Sequence, residues 1–165
     1  MRHIDFRYDL LPLKNRLFRL ALRITLDHAE AEDIVEDTLL RVWSKRDEME
    51  EVANLEAYCL TICRNLALDR SAKMEAQNVS LDAQPYDTVD LSPDPQAQME
   101  QAERLEMVKH LFSTLPERQR TVLQLRDIEG KTVRETADIM QTTEENIKVM
   151  LHRARQALRQ RFLAQ

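Results

Sequence analysis

The chain has 165 residues, a formal net charge of −5, one glycine, five prolines and two cysteines. That length suits one domain or two small ones, and the composition favours helix while leaving little material for turns between strands. It excludes a disulfide scaffold, a membrane span of roughly 20 apolar residues and an indiscriminate polyanion binder, so no membrane insertion and a cytoplasmic location are expected.

Leu10, Leu13, Leu17, Leu20, Ala21 and Ile24 recur at helical spacing and predict a first amphipathic helix from about Tyr8 to Leu26, with Pro12 blurring its start. Asp27 and Glu30 have capping-box spacing ahead of a second stripe of Ala31, Ile34, Val35, Leu39 and Val42 or Trp43, a helix that should end near Lys45–Glu51. Asn54 can cap a third helix with Leu55, Cys59, Ile62 and Leu66 inward and Arg64, Asn65, Asp69 and Arg70 largely outward. Cys59 and Cys63, with no second Cys/His pair at zinc spacing, read as buried thiols in a reducing cytosol.

From about Ala72 to Gln96 the periodicity fails around Pro85, Pro93 and Pro95, which predicts a flexible linker. The organisation is therefore all-α, with two small helical domains at 1–73 and 98–165 joined by an acidic linker at 74–97. Beyond the linker, Met99, Leu105, Val108, Leu111 and Phe112 mark a fourth helix. Leu115-Pro116-Glu117 opens a fifth with proline in its first turn, and Gly130 sits where that helix must stop.

Thr132-Val133-Arg134-Glu135 is a second capping-box spacing, starting a short helix through Thr136, Ala137, Ile139 and Met140. The chain then turns at Gln141-Thr142 and restarts with Thr143 as N-cap, which is the spacing of a helix-turn-helix. On the last helix Ile147, Leu151, Ala154, Leu158 and Phe162 share one face that should seal it to the core, with Met150 toward that face. Glu145, Asn146, Val149, His152 and Arg153 point outward, with Lys148, Arg155 and Arg159 along a flank. In a major groove Asn146 and Arg153 would reach base edges and Val149 a thymine methyl, while Lys148, Arg155, Lys131 and Arg118 would neutralise phosphates.

Charge placement fits this picture. Residues 1–71 carry 11 basic and 14 acidic groups (−3), 72–100 carry 1 and 6 (−5), and 101–165 carry 12 and 9 (+3). Lys148 to Arg161 hold five basic residues and no acidic one. Such a basic surface on an acidic chain suits local contact with nucleic acid and a protein partner elsewhere, although most basic runs are simply solvated helix faces.

The segment from Leu115 to Gly130, with Thr136-Ala-Asp-Ile and Asn146-Ile-Lys-Val-Met-Leu-His-Arg-Ala-Arg155, closely resembles domain four of extracytoplasmic-function sigma factors, which reads the minus-35 promoter element. Ala31-Glu-Asp-Ile-Val-Glu-Asp-Thr-Leu-Leu-Arg-Val-Trp43, Asn54-Leu-Glu-Ala-Tyr and Ile62-Cys-Arg-Asn-Leu-Ala-Leu-Asp-Arg70 resemble domain two, which holds the polymerase clamp and opens the minus-ten element. The resemblance implies that Thr132, Thr143, Glu145, Asn146, Lys148, Val149, His152, Arg153 and Arg155, with Arg118 and Lys131, meet minus-35 DNA. It likewise implies that Asp33, Glu36, Asp37, Arg41 and Trp43 face core RNA polymerase, though Trp43 has an ordinary core-packing alternative.

The loop from Ser44 to Asn54 corresponds to the family's pocket for a flipped base, and Arg64, Asn65, Arg70 and Lys73 would track the opened strand or adjoining duplex together with Asn54. The sequence departs from the family pattern in three places. That loop is acidic at Asp47, Glu48, Glu50 and Glu51; Gln141 replaces a turn residue that is commonly glycine; and Val149-Met150 stand where many members have serine and arginine. Promoter preference therefore does not carry over from relatives.

The resemblance further implies promoter DNA and core RNA polymerase as partners, an anti-sigma factor as a regulator, and a linker that lets two weak readers act together. The acidic linker would also suit nucleic-acid mimicry in the polymerase channel. A regulator that shares only the helix-turn-helix is the rival reading, distinguished by tight DNA binding without polymerase. Catalysis has no support: no catalytic constellation, metal cluster or cofactor motif occurs, and His3, His28, His110 and His152 are scattered.

Overall fold

The computed structural model describes residues 3–49, 52–77, 103, 106–107 and 109–164. Among them the regular elements are helices: α1 Lys14–Thr25, α2 His28–Ser44, α3 Leu55–Gln77, α4 Glu117–Leu123, α5 Val133–Met140 and α6 Glu144–Leu163. Helical turns at Phe6–Leu10, Leu11–Leu13, Arg46–Met49 and Gln124–Ile128 complete the set, and residues 109–113 are also helical.

The expected first helix is three pieces. Pro12 cannot donate a backbone N–H, and a tight turn over Leu11–Leu13 stands between a wide turn at Phe6–Leu10 and α1. All six residues of the expected stripe are nevertheless buried, from Leu10 to Ile24. The chain leaves α1 at Leu26, which takes the left-handed conformation at φ 56° and closes on the Leu22 carbonyl. Asp27 then accepts from the Glu30 N–H at 3.0 Å and starts α2.

In α2 the choice between Val42 and Trp43 resolves to Val42, which is buried, while Trp43 is half-buried; Thr38 joins the core by donating its hydroxyl to the Ile34 carbonyl at 2.7 Å. Asn54 caps α3 by accepting from the Ala57 N–H at 3.0 Å. The buried face of α3 differs from the expected one. Cys59, Leu60, Cys63, Arg64 and Ala67 are buried, whereas Leu55, Ile62 and Leu66 are half-buried. The reason is tertiary: α3 packs on α1 and α2 with one side and on α5 of the second half with another, so its apolar period is not confined to one stripe. α3 also continues to Gln77, so the residues just after 73 are helical.

In the second half Pro116 is the N-cap of α4 rather than a residue of its first turn. Gly130 takes φ +71°, the left-handed turn expected of it. The expected linker and most of the expected fourth helix, including Met99, Leu105 and Val108, lie outside the described residues; Leu111 and Phe112 are buried. On α6 Ile147, Leu151 and Ala154 are buried and Leu158 is half-buried, but Phe162 is 55% exposed. Phe162 instead lines an open groove with Leu111, Leu123 and Leu158, where the packing around the end of α6 is left open.

The two halves are packed together. α1 runs against α4 and the Gln124–Ile128 turn, and α3 against α5. The Arg120 guanidinium donates to the Arg23 carbonyl at 2.5 Å and the Ile24 carbonyl at 3.1 Å, where α1 leaves its last-turn carbonyls without helical partners, and to the Leu115 carbonyl in its own half. Arg19 makes a two-pronged pair with Glu129 at 2.7 Å, and Arg23 donates to the Gln124 side-chain oxygen at 2.9 Å.

Candidate nucleic-acid interface

The helix-turn-helix is built by local chemistry. Thr132 accepts from the Glu135 N–H at 3.0 Å while the Glu135 carboxylate accepts from the Thr132 N–H at 3.1 Å, a complete capping box. The hydrogen bond from the Thr132 backbone holds the Glu135 carboxyl below its ordinary range, aided by the positive Lys131. Gln141 ends α5 at φ 55°, a left-handed position occupied without glycine. Thr143 accepts from the Asn146 N–H at 3.1 Å and starts α6. Buried Ala137 keeps α5 slim where α6 crosses it.

The first half of α6 presents a continuous polar face. Glu145, Asn146, Lys148, Val149, His152 and Arg153 are all exposed around the buried Ile147 and Leu151, as expected. Val149, 46% exposed, is an apolar point in that face. Asn146 donates to the Thr142 hydroxyl at 2.7 Å, which aligns its amide over the turn. Arg155 departs from a free phosphate contact: its Nε and Nη2 donate to the two carboxylate oxygens of Asp127, at 3.0 and 2.5 Å, which raises its pKa. Arg118 is exposed, but Lys131 is largely covered and pairs with Glu56 of α3 at 2.6 Å.

The expected minus-ten residues divide. Asn65 and Lys73 are exposed on α3. Arg70 is tied to Glu30 at 2.7 Å and Asp33 at 2.6 Å, clasping α3 to α2. Asn54 donates to Glu135 at 3.2 Å, across to the second half.

Arg64 overturns its expected outward placement: it is 7% exposed, beneath α5, with one long hydrogen bond of 3.4 Å to the Met140 carbonyl. Its Nε has no partner among the described residues, and burial lowers the pKa of its guanidinium. The helical period of α3 carries no signal that a second domain covers that side.

Of the residues expected to face a protein partner, Glu36 and Arg41 are exposed, Asp37 pairs with Arg41 at 3.5 Å, and Asp33 is shared with Arg70. Trp43 is a half-buried anchor, met edge-on by Phe6 at 5.5 Å and covered on its face by Arg46 at 4.1 Å. Leu40, 57% exposed beside these residues, was not singled out from sequence, although its place outside the apolar stripe of α2 marks it. Sequence reasoning also missed Arg19, Arg120, Gln124 and Glu129, which join the halves. Gln124, fully buried within Val122-Leu123-Gln124-Leu125, is the one with a sequence signal, a polar residue inside an apolar run.

Both thiols are buried, and desolvation pushes Cys59 and Cys63 up to about 12, which keeps them protonated and inert. Among the described residues no cluster of three or more His, Cys, Asp or Glu is placed to hold a metal, and no helix is long and apolar enough to cross a membrane.

Known proteins match both halves. Residues 11–75 match the family model for Sigma-70 region 2, and residues 105–158 match that for Sigma-70, region 4. The ECF RNA polymerase sigma factor SigL of Mycobacterium tuberculosis is 31% identical over 87% of this chain and 80% of its own length. A probable RNA polymerase sigma factor, RfaY of Xanthomonas campestris pv. campestris, is 29% identical over 91% of this chain, which spans only 38% of that relative. Among solved structures, the sigma factor RpoE of Bartonella quintana, in complex with the anti-sigma factor NepR, is similar with a TM-score of 0.77 and 28% identity, covering 96% of each chain.

Proposed function

This chain belongs to the extracytoplasmic-function sigma factors of the sigma-70 family, and from that premise we propose how it works: it binds core RNA polymerase and directs promoter-specific initiation by a two-point grip. The observation that carries this reading is the exposed polar face at the start of α6, set on a doubly capped helix-turn-helix. In our assignment Asn146 and Arg153 read base edges of the minus-35 element, Val149 packs on a thymine methyl, and Glu145 and His152 border the same groove. Lys148 and Arg118 contact phosphates directly. Arg155, Lys131, Thr132 and Thr143 do so after their present partners release them, or through their caps.

The 1–73 domain holds the polymerase through Glu36, Asp37, Arg41 and Trp43, with Asp33 shared with Arg70. Asn54 at the cap of α3 and Arg64, Asn65, Arg70 and Lys73 along it follow the opened minus-ten strand. These roles are those of a binding factor, and the protein works in the cytoplasm beside the polymerase. The likeness to a sigma factor solved with NepR supports an anti-sigma factor as the regulator of this chain too.

Run-off transcription with core polymerase and a pool of promoters tests this reading. It expects start sites that depend on the protein and are absent with core alone. Tight operator binding by the free protein, with no dependent start site, would instead make it an ordinary helix-turn-helix regulator.

A further inference from the structure

We propose that Thr142, in the turn of the helix-turn-helix, is a specificity-determining positioning residue: its hydroxyl takes one N–H of the Asn146 amide and so orients that amide to read adenine rather than guanine. The inference rests on the promoter-reading function above, in which Asn146 meets a base edge. Three features of the turn carry it.

The first is that Thr142 stands on a fixed base. Gln141 takes the left-handed conformation, its N–H donates to the Asp138 carbonyl at 3.3 Å, and the Thr142 N–H donates to the Ala137 carbonyl at 3.0 Å. These two bonds are the paired closure of a Schellman motif, which satisfies carbonyls at the end of α5 and locks the backbone of the turn. Ala137 is itself buried where α5 and α6 pack, so the Thr142 hydroxyl is referenced to the core of the domain.

Second, the start of α6 has no need of that hydroxyl. Thr143 is the N-cap: its side chain accepts from the Asn146 N–H at 3.1 Å and its carbonyl from the Ile147 N–H at 3.0 Å. The hydroxyl of half-buried Thr142 is left for a side-chain partner, and it accepts from Asn146 Nδ2 at 2.7 Å. Asn146 is therefore held twice, by its backbone at Thr143 and by its amide at Thr142, while staying exposed. A free amide would lose rotamer freedom on meeting a base; this one is ordered before DNA arrives.

Third, the direction of the bond selects the base. An asparagine amide carries two N–H donors on its nitrogen and an acceptor on its oxygen. With Nδ2 donating to Thr142, the edge left for DNA is one N–H beside the Oδ1 acceptor. Adenine offers the matching pair in the major groove, an N7 acceptor beside the N6 amino donor. Guanine offers N7 and O6, both acceptors, and sets O6 lone pairs against Oδ1. The opposite amide orientation, with Oδ1 accepting from the Thr142 hydroxyl, would leave two N–H donors and suit guanine instead.

The test uses holoenzyme made from core polymerase and the full chain. It selects fragments from a promoter pool randomised across the minus-35 element, and the base ratio at each position is read by sequencing. The position read by Asn146 is the one whose preference Asn146→Ala abolishes. The expected result there is an adenine-over-guanine preference of about tenfold in the wild type, falling to about threefold or less with Thr142→Val, which keeps the shape and removes the hydroxyl. Thr142→Ser, which keeps the hydroxyl, should retain the wild-type ratio. In the double variant Thr142→Val/Asn146→Ala the Thr142 change should add nothing to the loss from Asn146→Ala. Preferences at the other positions should be unmoved, which a loosened fold would not produce.

The assignment is overturned by an Asn146→Ala or Thr142→Val profile equal to wild type, by any base other than adenine at the Asn146 position, or by a Thr142→Ser profile as poor as that of Thr142→Val. A Thr142→Val variant that lowers preference at every position together also overturns it. If Thr142→Val fails to fold, Thr142→Ala takes its place under the same criteria. Holoenzyme that shows no sequence preference anywhere in the element would sink the promoter-reading function itself, whereas a preference indifferent to Thr142 defeats this inference alone.

Discussion

The two helices to which we assign DNA contacts are treated in opposite ways by the fold. On α6 the residues from Glu145 to Arg153 that would enter a groove are exposed, and the helix is fixed from behind by Ile147, Leu151 and Ala154. On α3 the residue best suited to a phosphate, Arg64, is buried under the neighbouring domain, and Asn54 is engaged by it. Both helices belong to surfaces proposed above to read nucleic acid, yet only one is presented.

This contrast can be broken or sharpened by substitution. The largest effect is expected from Arg153→Ala, which in the proposed assignment removes a base contact worth about 1–3 kcal/mol and should lower promoter use roughly tenfold to a hundredfold in run-off transcription; unchanged use would remove Arg153 from the interface. Thr132→Ala breaks the capping box and should cost about 1 kcal/mol in a denaturant melt, loosening the presented reader without touching its base contacts.

Gln141→Gly relieves a left-handed residue and should stabilise the chain by about 0.5–1 kcal/mol, since glycine adopts that backbone without penalty. A drop in melting temperature would show that the Gln141 side chain has a contact that outweighs its backbone strain.

The smallest effect is a pH dependence. The Glu129 carboxyl pKa is lowered where it joins the two halves, because its burial is outweighed by hydrogen bonds from Arg19 and Gln124, so its contribution to stability is fully present above its ordinary value of 4.5 and is lost as pH falls through the lowered one. Arg19 and Arg16 from α1 and Gln124 from its own half face it. A denaturant melt should therefore show lower stability on the acid side, and Glu129→Gln should flatten that part of the profile.

Much of the presented reader was legible in the sequence because its determinants are local. The Thr132/Glu135 box, the Thr143 cap, the left-handed Gly130 and the face of Ile147 and Leu151 each depend on neighbours within a few residues. The covered reader was not legible for the converse reason. Arg64 looks outward on α3 taken alone, and only contact with α5, 76 positions away at Met140, buries it. The same holds for Phe162, expected in the core but left lining an open groove with Leu111, Leu123 and Leu158, and for Lys131 and Arg155, whose cationic side chains turn out to have acidic partners at Glu56 and Asp127. Periodicity reports which residues a helix must bury; it does not report which second surface arrives.

The most direct measurement compares Arg64→Ala with Arg153→Ala in binding a promoter fragment bearing an opened minus-ten region, first as free protein and then with core polymerase. With Arg153 presented and Arg64 covered, Arg153→Ala should weaken binding in both settings, while Arg64→Ala should be nearly silent in the free protein and weaken binding by tenfold or more with polymerase. Equal loss from both substitutions in the free protein would contradict the account, since it would mean that α5 does not keep Arg64 from the DNA.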